Sequence, residues 1–395
     1  MDTITIDSVQ LYPLAMPLVE RLGTSFGKEP FKTAILVRLE TTDGVVGWGE
    51  TSSEINPGYS YETMSTALHV MSEFLIPKVT GQTVAHPTEV PALMSQVRGH
   101  PLAHHGIEAA VWDAFAKTNK LSMAALFASA LPTINGEQHE SRGYAPVGVS
   151  IGIQDSVEAT LEIIAKRLAQ GYNRIKLKIK PGWDLELAQG VRREYPEIML
   201  MLDANSAYTL DDIDDLKQMD DFDLLMIEQP LAYNDIYQHS KLQPQLETPV
   251  CLDESILNLA DTQMAIELGA CKIINLKPAR VGGYTESLKI YQFCAENEVP
   301  LWIGGLLETG VGRATNIAFA SLPAVTLPCD ISATDRYYDP DIADPPFTVR
   351  EDSTIEVPTG DGIGVEVQMD RVEKANQYLT DNLPYSLPAT RVSAS

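Results

Sequence analysis

Positive charge is in short supply in this sequence. Its 395 residues include 29 lysines and arginines against 54 aspartates and glutamates, for a formal net charge of −25. Nucleic acid and anionic membrane surfaces are therefore not expected as partners. An anionic substrate would need positive charge gathered locally at its site.

Long apolar runs and patterned cysteines are also missing. No stretch reaches the length of a transmembrane helix, and residues 1–14 contain Asp2 and Asp7 where a targeting segment would be basic and then apolar. The four cysteines are Cys251, Cys271, Cys294 and Cys329. They form neither a CxxC motif nor a small disulfide framework, which predicts buried free thiols and a cytoplasmic protein.

Histidine and the common catalytic motifs are scarce as well. His239 is the only histidine between residues 143 and 335, and it lies in a helical pattern, so histidine is not expected to be the main base. There is no nucleophile elbow, P-loop or GxGxxG fingerprint after a strand. We interpret His104, His105 and Glu108 as the polar part of an amphipathic helix, because no second group of metal ligands lies nearby in sequence.

What the sequence does contain is a ladder of five charged residues, each at the end of an apolar, β-branched run. The ladder consists of Lys178, Asp203, Glu228, Asp253 and Lys277, at steps of 25, 25, 25 and 24 residues. Such runs, separated by helix-like segments, are typical of the buried strands of a parallel sheet. Eight units of this kind make a (β/α)8 barrel, whose active site lies at the carboxyl ends of the strands.

The pattern is different outside the ladder region. Residues 4–14, 33–40 and 45–49 predict an antiparallel meander, and residues 19–31 between its first two strands predict a surface loop or a mobile lid. Helical spacing follows at 61–75 and 103–118.

We therefore predict an α/β protein, a modified TIM barrel of residues 143–338 with an α+β capping domain of residues 1–130. Residues 339–395 are expected to return to the meander and complete that domain. The first, seventh and eighth barrel strands are expected at 145–152, 300–305 and 325–332. Helices are expected at 156–170, 184–194, 209–219, 236–246, 260–268 and 284–297.

The three acids of the ladder end three consecutive strands. A single acid at such a position is usually a helix N-cap. Three carboxylates that converge on one point cannot all stay ionised without a cation, and oxygen ligands favour a hard divalent ion. Asp203, Glu228 and Asp253 are therefore predicted to bind Mg²⁺, with Mn²⁺ or Co²⁺ as alternatives.

Lys178 and Lys277 are predicted to face each other across the barrel. Lys176 and Lys178 lie two residues apart on one strand, so both point to the same face, which is the interior if Ile175 and Leu177 pack against helices. A lone KxK motif is also common at exposed strand ends. Lys277, however, is four strands beyond Lys178, which is half the circumference of an eight-stranded barrel.

This geometry suggests proton transfer at a carbon next to a carboxylate. Removal of that proton leaves an enediolate, whose charge a divalent ion stabilises. A partly desolvated lysine near a metal is expected to have a lowered pKa and to act as the base. Gly304 and Gly305, at the end of the predicted seventh strand, are interpreted as positions where substrate approaches the backbone.

Several long motifs resemble the enolase superfamily, in its muconate-cycloisomerase-like branch. They are KLKIKPGWD, LDANSAYTL, MIEQPL, CLDESI, NLKPARVGGY and GGLLETGVGRATN. Within that branch the chain resembles the o-succinylbenzoate synthase and N-succinylamino acid racemase family, from MPLVERLGTSFG near the start to VPTGDGIGV near the end.

The resemblance implies roles for individual residues. The three acids of the ladder match the metal ligands and its two lysines match the acid/base pair. Lys176 matches a lysine close to the substrate carboxylate, and Asn205 and Glu254 match supporting polar groups. Arg280 matches an arginine that tunes the second lysine in members with racemase activity.

The capping domain is implied to supply aromatic substrate contacts at Phe26 and Tyr59, although Phe26 could instead be a packed loop anchor. The chain departs from the dipeptide epimerases of the superfamily, because it has Asp330 and Ser332 where they carry a DxD pair for a free ammonium. An N-acylated or other non-ammonium carboxylate is therefore favoured as the substrate.

The implied activity is o-succinylbenzoate synthesis for menaquinone, racemisation of N-succinylamino acids, or both. A cycloisomerase or epimerase of the same branch is the alternative enzyme, and a metal-binding barrel without catalysis is the alternative of another class. A homo-oligomer is expected.

Overall fold

The computed structural model describes residues 1–20, 23–24, 27–28, 30–132, 140–383 and 387. Its strands are β1 (Ile4–Pro17), β2 (Gly23–Thr24), β3 (Gly27–Lys28), β4 (Phe31–Thr41), β5 (Val46–Thr51), β6 (Thr83–Val84), β7 (Tyr144–Pro146), β8 (Val149–Ile151), β9 (Arg174–Lys178), β10 (Met199–Asp203), β11 (Ile227–Glu228), β12 (Val250–Leu252), β13 (Ile273–Leu276), β14 (Leu301–Ile303), β15 (Ala343–Asp344), β16 (Thr354–Glu356) and β17 (Glu366–Val367).

The α-helices are α1 (Met64–Val70), α2 (Ile76–Val79), α3 (Val90–Met94), α4 (Pro101–Thr118), α5 (Met123–Ala130), α6 (Val157–Ala169), α7 (Leu185–Glu194), α8 (Ile213–Gln218), α9 (Ile236–Leu242), α10 (Leu259–Glu267), α11 (Tyr284–Glu296), α12 (Gly310–Ala320) and α13 (Met369–Asn382). A π-helical turn, Met71–Leu75, joins α1 to α2. Short 3₁₀ turns lie at Pro87–Glu89, Leu210–Asp212, Met219–Phe222, Gln243–Gln245 and Thr334–Arg336.

The predicted N-terminal meander forms an antiparallel sheet in the order β5-β4-β1-β6. Strands β1 and β4 pair from Ser8 with Glu40 to Pro17 with Phe31, and α4 packs across β4 and β5. The predicted loop or lid at 19–31 contains the short β2–β3 pair. Phe26 lies outside the described residues, so its assignment stays a prediction.

The ladder strands form the predicted parallel sheet, in the order β14-β13-β12-β11-β10-β9-β8. Residues 325–332 occupy the eighth position, but the prediction of a regular strand there is wrong. Pro328 lacks an N–H to donate to a neighbour. The segment still links the two edges of the seven-stranded sheet. Asp330 N donates to Ile303 O of β14 at 2.9 Å, and Gly148 N, next to β8, donates to Cys329 O at 2.8 Å. The barrel is therefore closed.

The first barrel strand is also shorter than predicted. Residues 145–152 divide into β7, which pairs antiparallel with β16, and β8, which joins the barrel. The chain passes close to Arg174 at this division, where a Cβ on Gly148 would lie 2.3 Å from the arginine Nε. Small size at residue 148 thus makes room for a buried guanidinium.

Helices α6 to α11 lie within or close to the predicted ranges, whereas α12 was not predicted. All eleven residues of α12 are buried, so its polar residues, such as Arg313 and Asn316, do not form a solvent-exposed face. The prediction that residues 339–395 complete the meander missed α13, which packs on β1. Asn376 Nδ2 in α13 donates to Pro13 O at 2.6 Å. The proposed domain limits stay a prediction.

Two buried acids of the N-terminal part cap barrel helices. Glu50 accepts hydrogen bonds from Thr309 N at 3.0 Å and Gly312 N at 2.9 Å, at the start of α12. Glu108 accepts from Thr285 N at 2.7 Å, at the start of α11. The interpretation of Glu108 as part of a polar face is therefore wrong: its side chain is buried and satisfies otherwise unpaired backbone donors.

All four cysteines are free and buried, as predicted. In the part of the chain that the structure describes, no helix combines the length and apolar character needed to cross a lipid bilayer.

Substitution of Glu50 by Gln is expected to lower the free energy of unfolding by roughly 2 kcal/mol. Both carboxylate oxygens accept backbone N–H groups, so one of them would meet the amide NH₂ of glutamine instead. Urea denaturation followed by circular dichroism measures the change. Glu197→Gln, at an exposed site, is the control, and equal stability of the two variants would contradict the capping role.

Candidate active site

The charged residues of the ladder lie at one level of the barrel because the strands are in register. Asp203 is paired with Lys178 on one side and with Glu228 on the other. Asp253 follows the last residue of β12, and Lys277 follows the last residue of β13. The alternation of β9 turns Ile175 and Leu177 outward into the packed core, so its lysines point into the barrel as predicted.

Lys178 lies beside the first acid of the ladder. Its Nζ is 2.5 Å from Asp203 Oδ2 and 2.6 Å from Asn205 Oδ1. Asn205 in turn donates to Glu254 Oε1 at 2.9 Å. Asn205 and Glu254, both predicted as supporting groups, thus form a chain of contacts that holds the lysine end.

Lys176 is more deeply enclosed. Its Nζ is 2.9 Å from Glu228 Oε2, 3.1 Å from Asp203 Oδ2 and 2.5 Å from Asp330 Oδ2. The ammonium also lies 5.1 Å from the ring centroid of Trp302. Three carboxylates around one buried ammonium make Lys176 the internal counter-ion of the site.

Lys277 and Arg280 share the third acid. Lys277 Nζ is 2.8 Å from Asp253 Oδ2, and Arg280 donates to Asp253 Oδ1. Arg280 is anchored from behind, because its Nε donates to Ile256 O at 2.8 Å. Arg280 and Lys277 are thus connected through Asp253, and the tuning of Lys277 by Arg280 stays a prediction.

Tyr59 brings the N-terminal part into this group. Its hydroxyl donates to Asp253 Oδ1 at 3.0 Å and lies 3.0 Å from Lys277 Nζ. Lys277 Nζ also lies 4.3 Å from the centroid of the tyrosine ring. The structure therefore places Tyr59 against the second lysine.

The carboxyl groups of the site differ in the direction of their pKa shifts. Burial and the neighbouring Asp203 raise the pKa of Glu228 to about 8. Burial and Asp253 raise the pKa of Glu254 to about 7. Burial also raises the pKa of Asp203, but the charges of Lys178 and Lys176 lower it by more, so this pKa lies below its ordinary value. Glu228 and Glu254 therefore favour the protonated form more than an ordinary carboxyl group does, whereas Asp203 favours the ionised form.

The lysine pKa differs from the sequence-based expectation. Burial lowers the pKa of Lys277, as expected, but Asp253 and Tyr59 raise it by more, so it lies above its ordinary value. The expectation of a lowered pKa assumed that a cation would neutralise the carboxylates. With carboxylates alone as neighbours, the ammonium form is favoured.

A cavity of about 330 Å³ opens between the barrel mouth and the N-terminal part. Lys178, Asn205, Lys277 and Gly305 line it from the barrel, and Tyr59 lines it from the other side. Residues from opposite strands of the barrel therefore face one space. A small molecule in it would lie between the two lysines.

Gly304 has a different role from the one predicted. A Cβ at this position would lie 2.3 Å from Asn275 Oδ1 and 2.5 Å from Lys277 Cε. Small size here makes room for the side chains of β13 and its end, and it is Gly305 that lines the cavity.

Sequence reasoning missed Asn275, Lys32 and Glu54 as site residues, and it considered Asp330 only in comparison with the DxD pair of the dipeptide epimerases. Asn275 donates to Glu228 Oε1 at 2.6 Å, and its spacing of two from Lys277 placed it on the same face. Asp330 contacts Lys176 and also Arg174, at 2.7 Å. Lys32 and Glu54 line the cavity from β4 and the loop after β5, and no motif marked them.

Within the described ranges, no three His, Cys, Asp or Glu side chains are arranged as they stand to hold a metal ion. Lysine or arginine nitrogens contact the carboxylate oxygens of Asp203, Glu228 and Asp253. The assignment of Asp203, Glu228 and Asp253 as metal ligands therefore stays a prediction.

Comparison with known families decides where the chain belongs. The family of enolase C-terminal domain-like sequences matches residues 159–371, and the N-terminal domain of mandelate racemase / muconate lactonizing enzyme matches residues 8–128. The chain belongs to the enolase superfamily. This confirms the predicted family and the predicted fold class.

Similar proteins from this superfamily align over nearly the whole chain. The o-succinylbenzoate synthase of Bacillus subtilis is 44% identical over 94% of this chain and 96% of its own length. The N-succinylamino acid racemase of Thermus thermophilus is 42% identical over 94% and 98%. A crystal structure of a protein from Enterococcus faecalis, described as an unknown member of the enolase superfamily, has a TM-score of 0.86 at 40% identity, covering 95% of this chain and 98% of that one.

In this enolase superfamily member, Tyr59→Phe is expected to lower the free energy of unfolding by about 1–2 kcal/mol. The variant removes a hydroxyl that contacts both Asp253 and Lys277. Thermal unfolding measures the effect, and Tyr237→Phe at an exposed position is the matched control. A Tyr59 variant as stable as the control would show that this hydroxyl does not hold the N-terminal part to the barrel.

Proposed function

We propose that the protein forms o-succinylbenzoate by dehydration, as a step towards menaquinone, and racemises N-succinylamino acids at the same site. Some relatives are named o-succinylbenzoate synthase and others N-succinylamino acid racemase, and both groups are 40–44% identical to this chain over more than nine tenths of its length. In both reactions a proton leaves a carbon next to a carboxylate. One site with two opposed bases therefore serves either substrate.

The observation that carries the proposal is that Lys178 and Lys277 line one cavity from strands four places apart. A planar enediolate between them would present one face to each lysine. A general base must lie within hydrogen-bond reach of the proton it removes, and a substrate in this cavity can meet that condition on either side.

In the dehydration, Lys178 would take the α-proton. The neighbouring carbon loses its hydroxyl group from the same face, and the proton on Lys178 then leaves with that hydroxyl as water. A carbon–carbon double bond forms in place of the C–H and C–O bonds. Lys277 would stay protonated and stabilise the ring from the opposite face.

In the racemisation, the two lysines would exchange roles. One takes the α-proton and the other, already protonated, delivers a proton to the opposite face. Asn205 and Asp203 hold Lys178 in place, and Tyr59 and Asp253 hold Lys277. Each base is therefore positioned by two polar groups.

The chemistry of the acids supports a divalent ion, proposed to be Mg²⁺ with Mn²⁺ or Co²⁺ as alternatives. Glu254 Oε2 and Asn275 Oδ1 are buried oxygens without a hydrogen-bond partner in the described part of the chain. They lie beside Asp253 and Glu228, which are the proposed ligands together with Asp203. A divalent ion bound there would stabilise the negative charge that develops on the substrate carboxylate.

Asp330 bears on the alternative functions. It is occupied by Arg174 and Lys176, which leaves it unsuited to bind the free ammonium of an epimerase substrate. A cycloisomerase of the same branch remains the alternative enzyme. A binding protein without catalysis would have no use for opposed lysines. A homo-oligomer and a cytoplasmic location are further proposals, and the ligand would be a small carboxylate.

Mg²⁺ or Mn²⁺ is expected to raise the thermal unfolding midpoint, because an ion that binds only the folded protein stabilises it by roughly 2–3 kcal/mol at a hundred times its Kd. Asp253→Asn should abolish most of the rise, while Asp7→Asn, at an exposed site, should keep it. EDTA should also stop turnover. An unchanged midpoint in the presence of millimolar ion would count against the ion site.

Deuterium exchange tests the two-base proposal. Each enantiomer of an N-succinylamino acid is incubated in D₂O with the wild type, Lys178→Ala and Lys277→Ala, and exchange at the α-carbon is followed by NMR. Each variant should lose exchange with one enantiomer, or both should lose racemisation by about 100-fold or more. Normal racemisation by Lys277→Ala would rule out opposed lysines, and a parallel dehydration assay compares the two activities.

A further inference from the structure

A third lysine faces the cavity from the side opposite the barrel. Lys32, the second residue of β4, lines the cavity together with Lys178 and Lys277. Its side chain is only 9% exposed, and its Nζ lies 3.0 Å from Glu54 Oε1. None of the proposed proton transfers uses this lysine.

The two side chains of the Lys32–Glu54 pair differ in solvent exposure. The Glu54 side chain is 45% exposed, whereas that of Lys32 is almost completely buried. A buried ammonium needs an anion beside it, because its loss of hydration is otherwise uncompensated. The half-exposed carboxylate, however, can turn into solvent if another anion takes its place beside Lys32. Lys32 is thus a fixed cation with an exchangeable counter-ion.

The electrostatics of Glu54 point to the same place. Lys32 is the main cause of its lowered pKa, although burial opposes the shift, and the charge of Lys277 lowers it further. The carboxylate of Glu54 therefore lies in the field of a cation on each side of the cavity. An anionic group of a ligand would be stabilised in the same field.

The proposed substrates supply such a group. The names o-succinylbenzoate and N-succinylamino acid share a succinyl arm, which ends in a carboxylate remote from the reacting carbon. Lys176, Lys178 and Lys277 already hold the acids at the barrel end. The distal carboxylate therefore needs a different cation.

We propose that Lys32 binds the distal carboxylate of the succinyl arm, in the place that Glu54 occupies beside it. This inference rests on the proposed function and identifies the residue that selects for a dicarboxylate. Glu54 competes with the substrate for Lys32, so it would weaken binding of succinyl compounds and leave neutral acyl compounds unaffected.

A matched pair of ligands tests the inference. o-Succinylbenzoate and 2-butanoylbenzoate differ only in a terminal carboxylate against a methyl group, and calorimetry gives the Kd of each. Lys32→Met should weaken o-succinylbenzoate binding by roughly 10- to 100-fold and change 2-butanoylbenzoate binding less than twofold. Lys32→Arg should retain most of the affinity. Glu54→Gln should tighten o-succinylbenzoate binding only.

The same comparison can be made in turnover. Lys32→Met should raise KM for N-succinylamino acids with little change in kcat, and should leave N-butanoylamino acids unaffected. If Lys32→Met does not fold, the opposite effect of Glu54→Gln still tests the proposal. Equal effects of either substitution on both ligands would overturn it, because the pair would then be purely structural.

Failure of the proposed function gives a different result. A wild type that neither forms o-succinylbenzoate nor exchanges the α-proton of N-succinylamino acids would overturn the proposed activity, and with it the dicarboxylate specificity. An active wild type whose Lys32 variants do not distinguish succinyl from butanoyl would overturn only the role of Lys32.

Discussion

Buried negative charge must be compensated, and this requirement organises the barrel end of the protein. Asp203, Glu228 and Asp253 are almost fully enclosed, and each has a lysine or arginine nitrogen on its carboxylate. Asp203 and Asp253 each contact two of these cations, whereas Glu228 contacts Lys176, so removal of Lys176 would leave the Glu228 carboxyl group without a cation in a medium of low polarity. The lysines are therefore both the candidate bases and the ions that allow the acids to stay in place.

The fold and the centre of the site could be predicted because one feature determines both. Parallel strands in register bring residues at equal spacing to one level, so the 25-residue step located Lys178, Asp203 and Glu228 together. The alternation of side chains along β9 also decided which way Lys176 points. These are local rules, and they apply before any long-range contact is known.

Other parts could not be predicted because their signals are not local. All eleven residues of α12 are buried, including Arg313 and Asn316, so no solvent-exposed face marks this helix in the sequence. The sequence pattern predicts Glu108 on a polar surface, but in the structure it accepts a hydrogen bond from the start of α11, which is distant in sequence. Lys32 and Glu54 are 22 residues apart and meet only because the strand pairing of β4 with β5 brings the chain back.

The helix caps formed by Glu50 and Glu108 limit how this protein can be recombined with its relatives. Each carboxylate belongs to the N-terminal part, yet the backbone groups it satisfies begin α12 and α11 of the barrel. A chimera that joins this N-terminal part to another barrel inherits two buried acids and must also inherit helix starts that fit them. The two halves are therefore not interchangeable modules: the N-terminal residues that line the cavity can be transferred only together with barrel helices that fit Glu50 and Glu108.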